Sequence, residues 1–147
     1  MNLIVIFTAV LLLVAGGADI YKQKRKTCVL DEIVRFVLYA RSELHYRTPD
    51  LENLFISASK QNYSYLSFSD YTVKPDDMCD ELVKKDFSEF VSRLGTTDTD
   101  GQLSLCDEYA SRFTEKLTER KQREKSKIQI SAALSILSAM CVLVLFM

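Results

Sequence analysis

LGTTDTDGQLSLCD, residues 94–107, decides how this chain is to be folded. Aligned from Thr96 as a twelve-residue EF-hand loop, it sets Asp98 at position 3, Asp100 at position 5, Gly101 at position 6 and Asp107 at position 12. A working loop wants Asp at its first position and the longer, bidentate Glu at its last; Thr96 and Asp107 stand there instead. The chain holds no second such loop to pair with it. As a break between two helices, the same residues are all used. Gly95 takes the left-handed position that ends a helix, and Thr99 with Gln102 makes a capping box that opens the next. Asp98 and Asp100 add negative charge where a helix N-terminus favours it. The helix break is the better account, with a calcium-responsive adaptor as the lesser alternative.

Working outward, apolar residues recur at helical spacing on both sides. Leu82, Val83, Phe87, Phe90, Val91 and Leu94 form one stripe, behind Asp76 or Asp77 as N-cap. Leu103, Cys106, Tyr109, Ala110, Phe113 and Leu117 form the next. No breaker follows Gly101, so the last helix is expected to run through the charged 115–127 stretch into an apolar C-terminal run. Upstream, Leu30, Ile33, Val34, Val37, Leu38 and Leu44 mark a helix with no Gly or Pro after Ala18. Thr48 as N-cap and Pro49 at the first helical position then open a short helix with Leu51, Leu54, Phe55 and Ala58 on its buried face. Residues 62–75 (NYSYLSFSDYTVKP) have no helical period. They read as an ordered loop packed through its aromatics, with room for one helical turn; a short strand is the alternative, but it would have no obvious partner. The expected fold class is all-α, a helical bundle.

Two oily ends flank this polar middle. Residues 3–18 are almost wholly apolar, and residues 128–147 are twenty without a charge. Twenty helical residues span about 30 Å, the thickness of a hydrocarbon core. The expected division is an N-terminal transmembrane helix over 1–21, a cytosolic bundle over 22–127 and a C-terminal transmembrane helix over 128–147. Gly16, Gly17 and Ala18 could serve signal-peptide cleavage, but Met1 and Asn2 supply no basic n-region, which favours an uncleaved anchor. Lys22, Lys24, Arg25 and Lys26 follow the first run; Arg120, Lys121, Arg123, Lys125 and Lys127 precede the second. By the positive-inside rule both chain ends face out and the middle faces the cytosol. These cations either set topology alone or also attract anionic lipid head groups, at about 1 kcal/mol each. Ser131, Ser135 and Ala139, with Ser138 beside them, suit close packing in lipid, with the first span or with another copy in a homo-oligomer.

Between Cys28 and Glu119 there are 18 acids and ten bases, leaving the middle about eight charges negative. Such a body disfavours nucleic acid. Cys28, Cys79, Cys106 and Cys141 show no CxxC spacing and His45 is the single histidine, so no zinc site is expected and the thiols read as reduced and buried. No cofactor is implied. Phosphate-loop, GxSxG and HExxH motifs are all missing. His45 could pair with Glu43 or Cys28 as a base, yet a lone histidine beside Tyr46 and Arg47 is more often a surface or packing residue. The sequence argues against an enzyme.

Two stretches taken together resemble a known family. SELHYRTPDLENLF, residues 42–55, carries Glu43, Tyr46, Thr48 and Pro49; RLGTTDTDGQ, residues 93–102, carries Leu94, Gly95, Asp98 and Gln102. In this order, with a span at each end, they resemble stage III sporulation protein AB of endospore-forming Firmicutes. The resemblance implies a non-catalytic component of the channel complex between mother cell and forespore, in the mother-cell membrane around the forespore. It implies a cytosolic helical domain similar to type II secretion platform proteins. The implied partners are membrane lipids, other channel subunits and an assembly ATPase, stage III sporulation protein AA. An acidic domain suits docking on a basic partner. The alternative is a small two-span protein of permeabilising or stress type, against which the long polar middle with its own core stripes argues.

Overall fold

The computed structural model describes the backbone of residues 2–47, 50–69 and 72–146. Within those segments side chains are described from 21 to 131 and at 133, 134 and 137. In chain order the elements are α1 (Asn2–Arg47), α2 (Leu51–Ser59), β1 (Leu66–Ser69), β2 (Thr72–Pro75), α3 (Glu81–Arg93) and α4 (Thr99–Phe146). The two long helices run without interruption: α1 holds no Gly or Pro after Gly17, and α4 none after Gly101. They pair antiparallel: Asp31 of α1 meets Lys121 of α4, while Arg41 meets Asp107. The α2, hairpin and α3 elements pack near the C-terminal half of α1 and the N-terminal half of α4, where the buried residues lie.

The centre of that core is Phe36, fully buried on α1. Its ring lies 6.4 Å from Phe55 of α2, 5.9 Å from Phe68 of β1 and 5.8 Å from Phe87 of α3. Phe87 passes the contact to Phe113 of α4 at 6.4 Å, and Phe90 meets Tyr109 at 5.3 Å. One turn before Phe36 sits Glu32, a carboxylate in the apolar stripe with only 4% exposure. Its two oxygens accept the consecutive backbone N–H groups of Ser64 and Tyr65, at 2.8 and 2.7 Å. This clasp fixes the approach to the hairpin onto α1.

Residues 62–75 are thus not a loop. They contain an antiparallel hairpin whose register pairs Leu66 with Pro75 and Phe68 with Val73. The strand partner lies within the same segment. Alternation in Leu66-Ser67-Phe68-Ser69 turns Leu66 and Phe68 to the core side and the serines outward. Four residues per strand are too few to make that period stand out from the aromatics around it. Among the described residues the protein is therefore mostly helical, broadly consistent with the expected all-α class, with a small two-stranded sheet added to it.

Helix starts also differ from expectation. α2 is capped by Asp50, whose carbonyl accepts the Leu54 N–H; Thr48 and Pro49 lie outside the described residues. α3 is preceded by Asp80, not Asp76 or Asp77. Asp76 instead closes a turn, its carboxylate accepting the Met78 N–H at 3.0 Å. In α4 the cap is Asp98: its Oδ1 accepts the Gly101 N–H at 3.1 Å and its carbonyl the Gln102 N–H. Thr99 is the first helical residue, and the Gln102 amide donates to the Thr97 carbonyl, so no capping box forms. Leu82 is 76% exposed and Leu38 about half exposed, whereas Val29, Ala40 and Leu105 join the core.

Gly95 does end α3 as expected, with φ of +83°. A Cβ there would also run into Leu51 of α2. Among the described residues no helix is long and apolar enough to cross a membrane. Residues 3–18 and 128–146 of the two apolar runs follow helical backbone, but all side chains of the first and most of the second lie outside the described residues.

Two stability outcomes are expected from chemical denaturation. Glu32→Ala removes the charged acceptor of two part-buried N–H groups and lowers the unfolding free energy by about 3 kcal/mol, with Glu32→Gln losing less because one oxygen still accepts. Gly95→Ala combines an unfavourable φ with overlap on Leu51 and costs about 2 kcal/mol or more.

Candidate functional site

The antiparallel pairing brings the two groups of cations, 22–26 on α1 and 120–127 on α4, to one pole of the molecule. Five of the nine are partnered. Arg25 donates to Asp76 at 2.7 Å, with its guanidinium over the Tyr65 ring. Lys26 donates to Asp80 at 2.9 Å, and Arg120 reaches the other oxygen of the same carboxylate. Lys121 meets Asp31 at 2.9 Å, and Arg123 lies 3.6 Å from Glu119 one turn back. Lys22, Lys24, Lys125 and Lys127 show no ion pair among the described residues.

Four of the nine flanking cations are therefore engaged by acids from elsewhere in the domain. Arg25, Lys26, Arg120 and Lys121 cross-link elements of the domain, because acids distant in sequence (Asp31, Asp76, Asp80) fold against them. Asp80 sits at the N-cap of α3 yet makes no side-chain cap there, its carboxylate being drawn to the two long helices. Between the helix roots lies a cleft of about 260 Å³, lined by Lys26, Thr27, Asp80, Arg120, Arg123 and Lys127. Beyond it on α4, Ile128, Ile130, Leu134 and Leu137 are exposed. Ser131 is exposed as well, and the side chains of Ser135, Ser138 and Ala139 lie outside the described residues.

The opposite pole holds the turn singled out in the sequence. Leu94 is buried, Gly95 packs under Leu51, and Asp98, Thr99 and Gln102 open α4. On α1, Glu43 is half-buried beside the Tyr39 hydroxyl, and Tyr46 is 80% exposed with its ring edge against His45. The two stretches are thus brought to the same end through Leu51. Glu43 also lies 4.0 Å from Arg47. Two residues apart on a helix, Glu43 and His45 do not face each other, and Cys28 is about 25 Å back along α1. His45 is consequently paired with neither.

The loop carboxylates are engaged as well: Asp98 caps, and Asp107 receives Arg41 through two nitrogens. Among the described residues no cluster of His, Cys, Asp or Glu is arranged to hold a metal ion. Burial pushes the Cys79 and Cys106 thiols up to about 11, which keeps both neutral and unreactive near pH 7. Cys28 is only half-buried, and the Cys141 side chain lies outside the described residues.

What sequence reading missed are the receiving acids. Glu32 left one signal, a carboxylate inside the apolar run at 29–34; Asp31, Asp76 and Asp80 left none that separates them from other surface acids. No family model, curated protein or solved structure matches this chain.

The Asp76 turn has a pH signature. The Met78 N–H, then Arg25, hold its carboxyl below the ordinary carboxylate value. Its contribution is fully present above the unfolded value of about 4 and is lost as pH falls through the lower folded value. Asp76→Asn should therefore melt several degrees below the parent protein at pH 7. In thermal melts across acid pH that difference should shrink steadily below about pH 4.

Proposed function

We propose that this chain is a non-enzymatic membrane scaffold of the stage III sporulation protein AB type, a component of the channel complex between mother cell and forespore. The observation that carries this is the antiparallel pairing of α1 and α4. It directs both apolar runs, 3–18 and 128–147, to the pole already marked by cations. In this proposal residues 1–21 and 128–147 are the transmembrane helices, and 22–127 is a cytosolic domain similar to type II secretion platform proteins. The exposure of Ile128, Ile130, Leu134 and Leu137 supports it, since surface of this kind is unfavourable in water and neutral in lipid.

The other pole offers a partner surface. Asp50 and Glu52 flank Leu51, which packs on Gly95, and Asp98 and Asp100 follow that glycine in sequence. None of the four forms an ion pair among the described residues. A basic partner, here the assembly ATPase stage III sporulation protein AA, would meet this end while other membrane subunits meet the spans.

The test uses the full chain in sporulating cells. It should stay in the membrane pellet through alkaline carbonate washing. Purified from gently solubilised membranes, it should bring an ATPase and other membrane subunits with it. Release into the carbonate wash, or purification without any ATPase, would sink the proposal.

A further inference from the structure

We infer that the cleft between the roots of α1 and α4 holds the phosphate group of an anionic phospholipid. This deepens the membrane reading above and rests on it. The cleft is lined by four cations, Lys26, Arg120, Arg123 and Lys127, and by the single carboxylate of Asp80, a surplus of three positive charges. Asp80 occupies Lys26 and Arg120 and holds them in place. Among the described residues Arg123 has one ion pair, to Glu119 at 3.6 Å, and Lys127 has none. Two cations with donors to spare thus face a concave space of about 260 Å³. A phosphate is an acceptor-only group that matches an arginine fork and a lysine point charge.

The spacing along α4 selects a lipid over a free phosphate. Arg120, Arg123, Lys127, Ile130, Leu134 and Leu137 recur at alternating steps of three and four, so they share one helix face. That face is cationic up to Lys127 and apolar after it, and Ile130, Leu134 and Leu137 are each well over half exposed. From Lys127 to Leu137 is about 15 Å of helix, half the thickness of a hydrocarbon core of about 30 Å. A phospholipid has the same order of chemistry along its length: an anionic head, then an acyl chain one leaflet long. Inorganic phosphate would use the cations and leave the apolar continuation uncovered.

The experiment measures lipid retained by the full chain, purified in mild detergent, using native mass spectrometry. The probes are phosphatidylglycerol, phosphatidylcholine and inorganic phosphate. The parent protein should prefer phosphatidylglycerol. Arg123→Gln with Lys127→Gln should weaken that binding about 30-fold, taking two cations at the strength typical of an anionic surface. Binding of phosphatidylcholine and the melting temperature should hardly move. Lys22→Gln with Lys24→Gln removes the same charge from the root but outside the cleft, and should cost only a few-fold. Equal losses in the two double variants would mean a diffuse cationic collar and overturn the cleft. Displacement of phosphatidylglycerol by inorganic phosphate at matching concentration would overturn the lipid as occupant. A chain that stays in the membrane through carbonate yet shows no preference for phosphatidylglycerol refutes the cleft alone; a chain released by carbonate refutes the membrane reading first.

Discussion

Everything in the domain outside the two long helices depends on one turn of α1, from Glu32 to Phe36. A buried carboxylate is costly unless its lone pairs are taken up by donors. Glu32 solves this with two consecutive backbone N–H groups, from Ser64 and Tyr65, and with Arg35 at 3.5 Å on its outer side. A hairpin of two four-residue strands is not stable by itself in water. Held by Glu32, it lays Phe68 on Phe36, and Phe36 in turn receives Phe55 and Phe87. Without the clasp, α2 and α3 would have a shared aromatic centre but no lid over it.

The second organising choice is at Asp80. A residue at that position of a helix usually lends its side chain to the first free N–H groups, worth about 1 kcal/mol. Here the carboxylate is given over to Lys26 of α1 and Arg120 of α4. The start of α3 loses a local cap, and three helices gain a common tie. Isolated exposed pairs contribute little, but this one is partly shielded and shared, so both cations lose freedom together. The same tie shapes the cleft: it places Lys26 and Arg120 as fixed walls, beside Arg123, which pairs with Glu119, and Lys127, which has no ion pair among the described residues.

Local patterns in the sequence were enough for the helices and for Gly95, whose left-handed conformation no longer-range contact is needed to explain. They were not enough for helix starts. Asp50, Asp80 and Asp98 sit within a few residues of Thr48, Asp76 and Thr99, and all are good capping residues. Side-chain chemistry does not separate such neighbours: Asp76 is taken up by Arg25 and the Met78 N–H, while Asp80 begins α3 although its own carboxylate goes to Lys26 and Arg120. The hairpin failed for a related reason. Its period of two covers only four residues per strand, and its site on α1 is specified by a Glu 32 positions away from Ser64. The root cations looked alike in sequence because their acids lie far away in the chain, Asp31 on α1 and Asp76 and Asp80 in the connection between β2 and α3.

One apparent contradiction resolves on the scale of distance. A domain about eight charges negative between Cys28 and Glu119 should repel an anionic lipid if its charge acted as a whole. It does not act as a whole. From Thr99 to Lys127 the α4 axis covers about 42 Å, several times the screening length of about 8 Å at physiological salt. The carboxylates of Asp50, Glu52, Asp98 and Asp100 are therefore invisible at the root, where Arg123 and Lys127 set the local field. Many of the acids in between are spent on ion pairs inside the domain, Asp31, Asp76, Asp80 and Asp86 among them. Net charge averages over two poles that a ligand never feels together. On the proposed reading, an anionic surface at one end and a basic partner at the other would then be engaged with neither weakening the other.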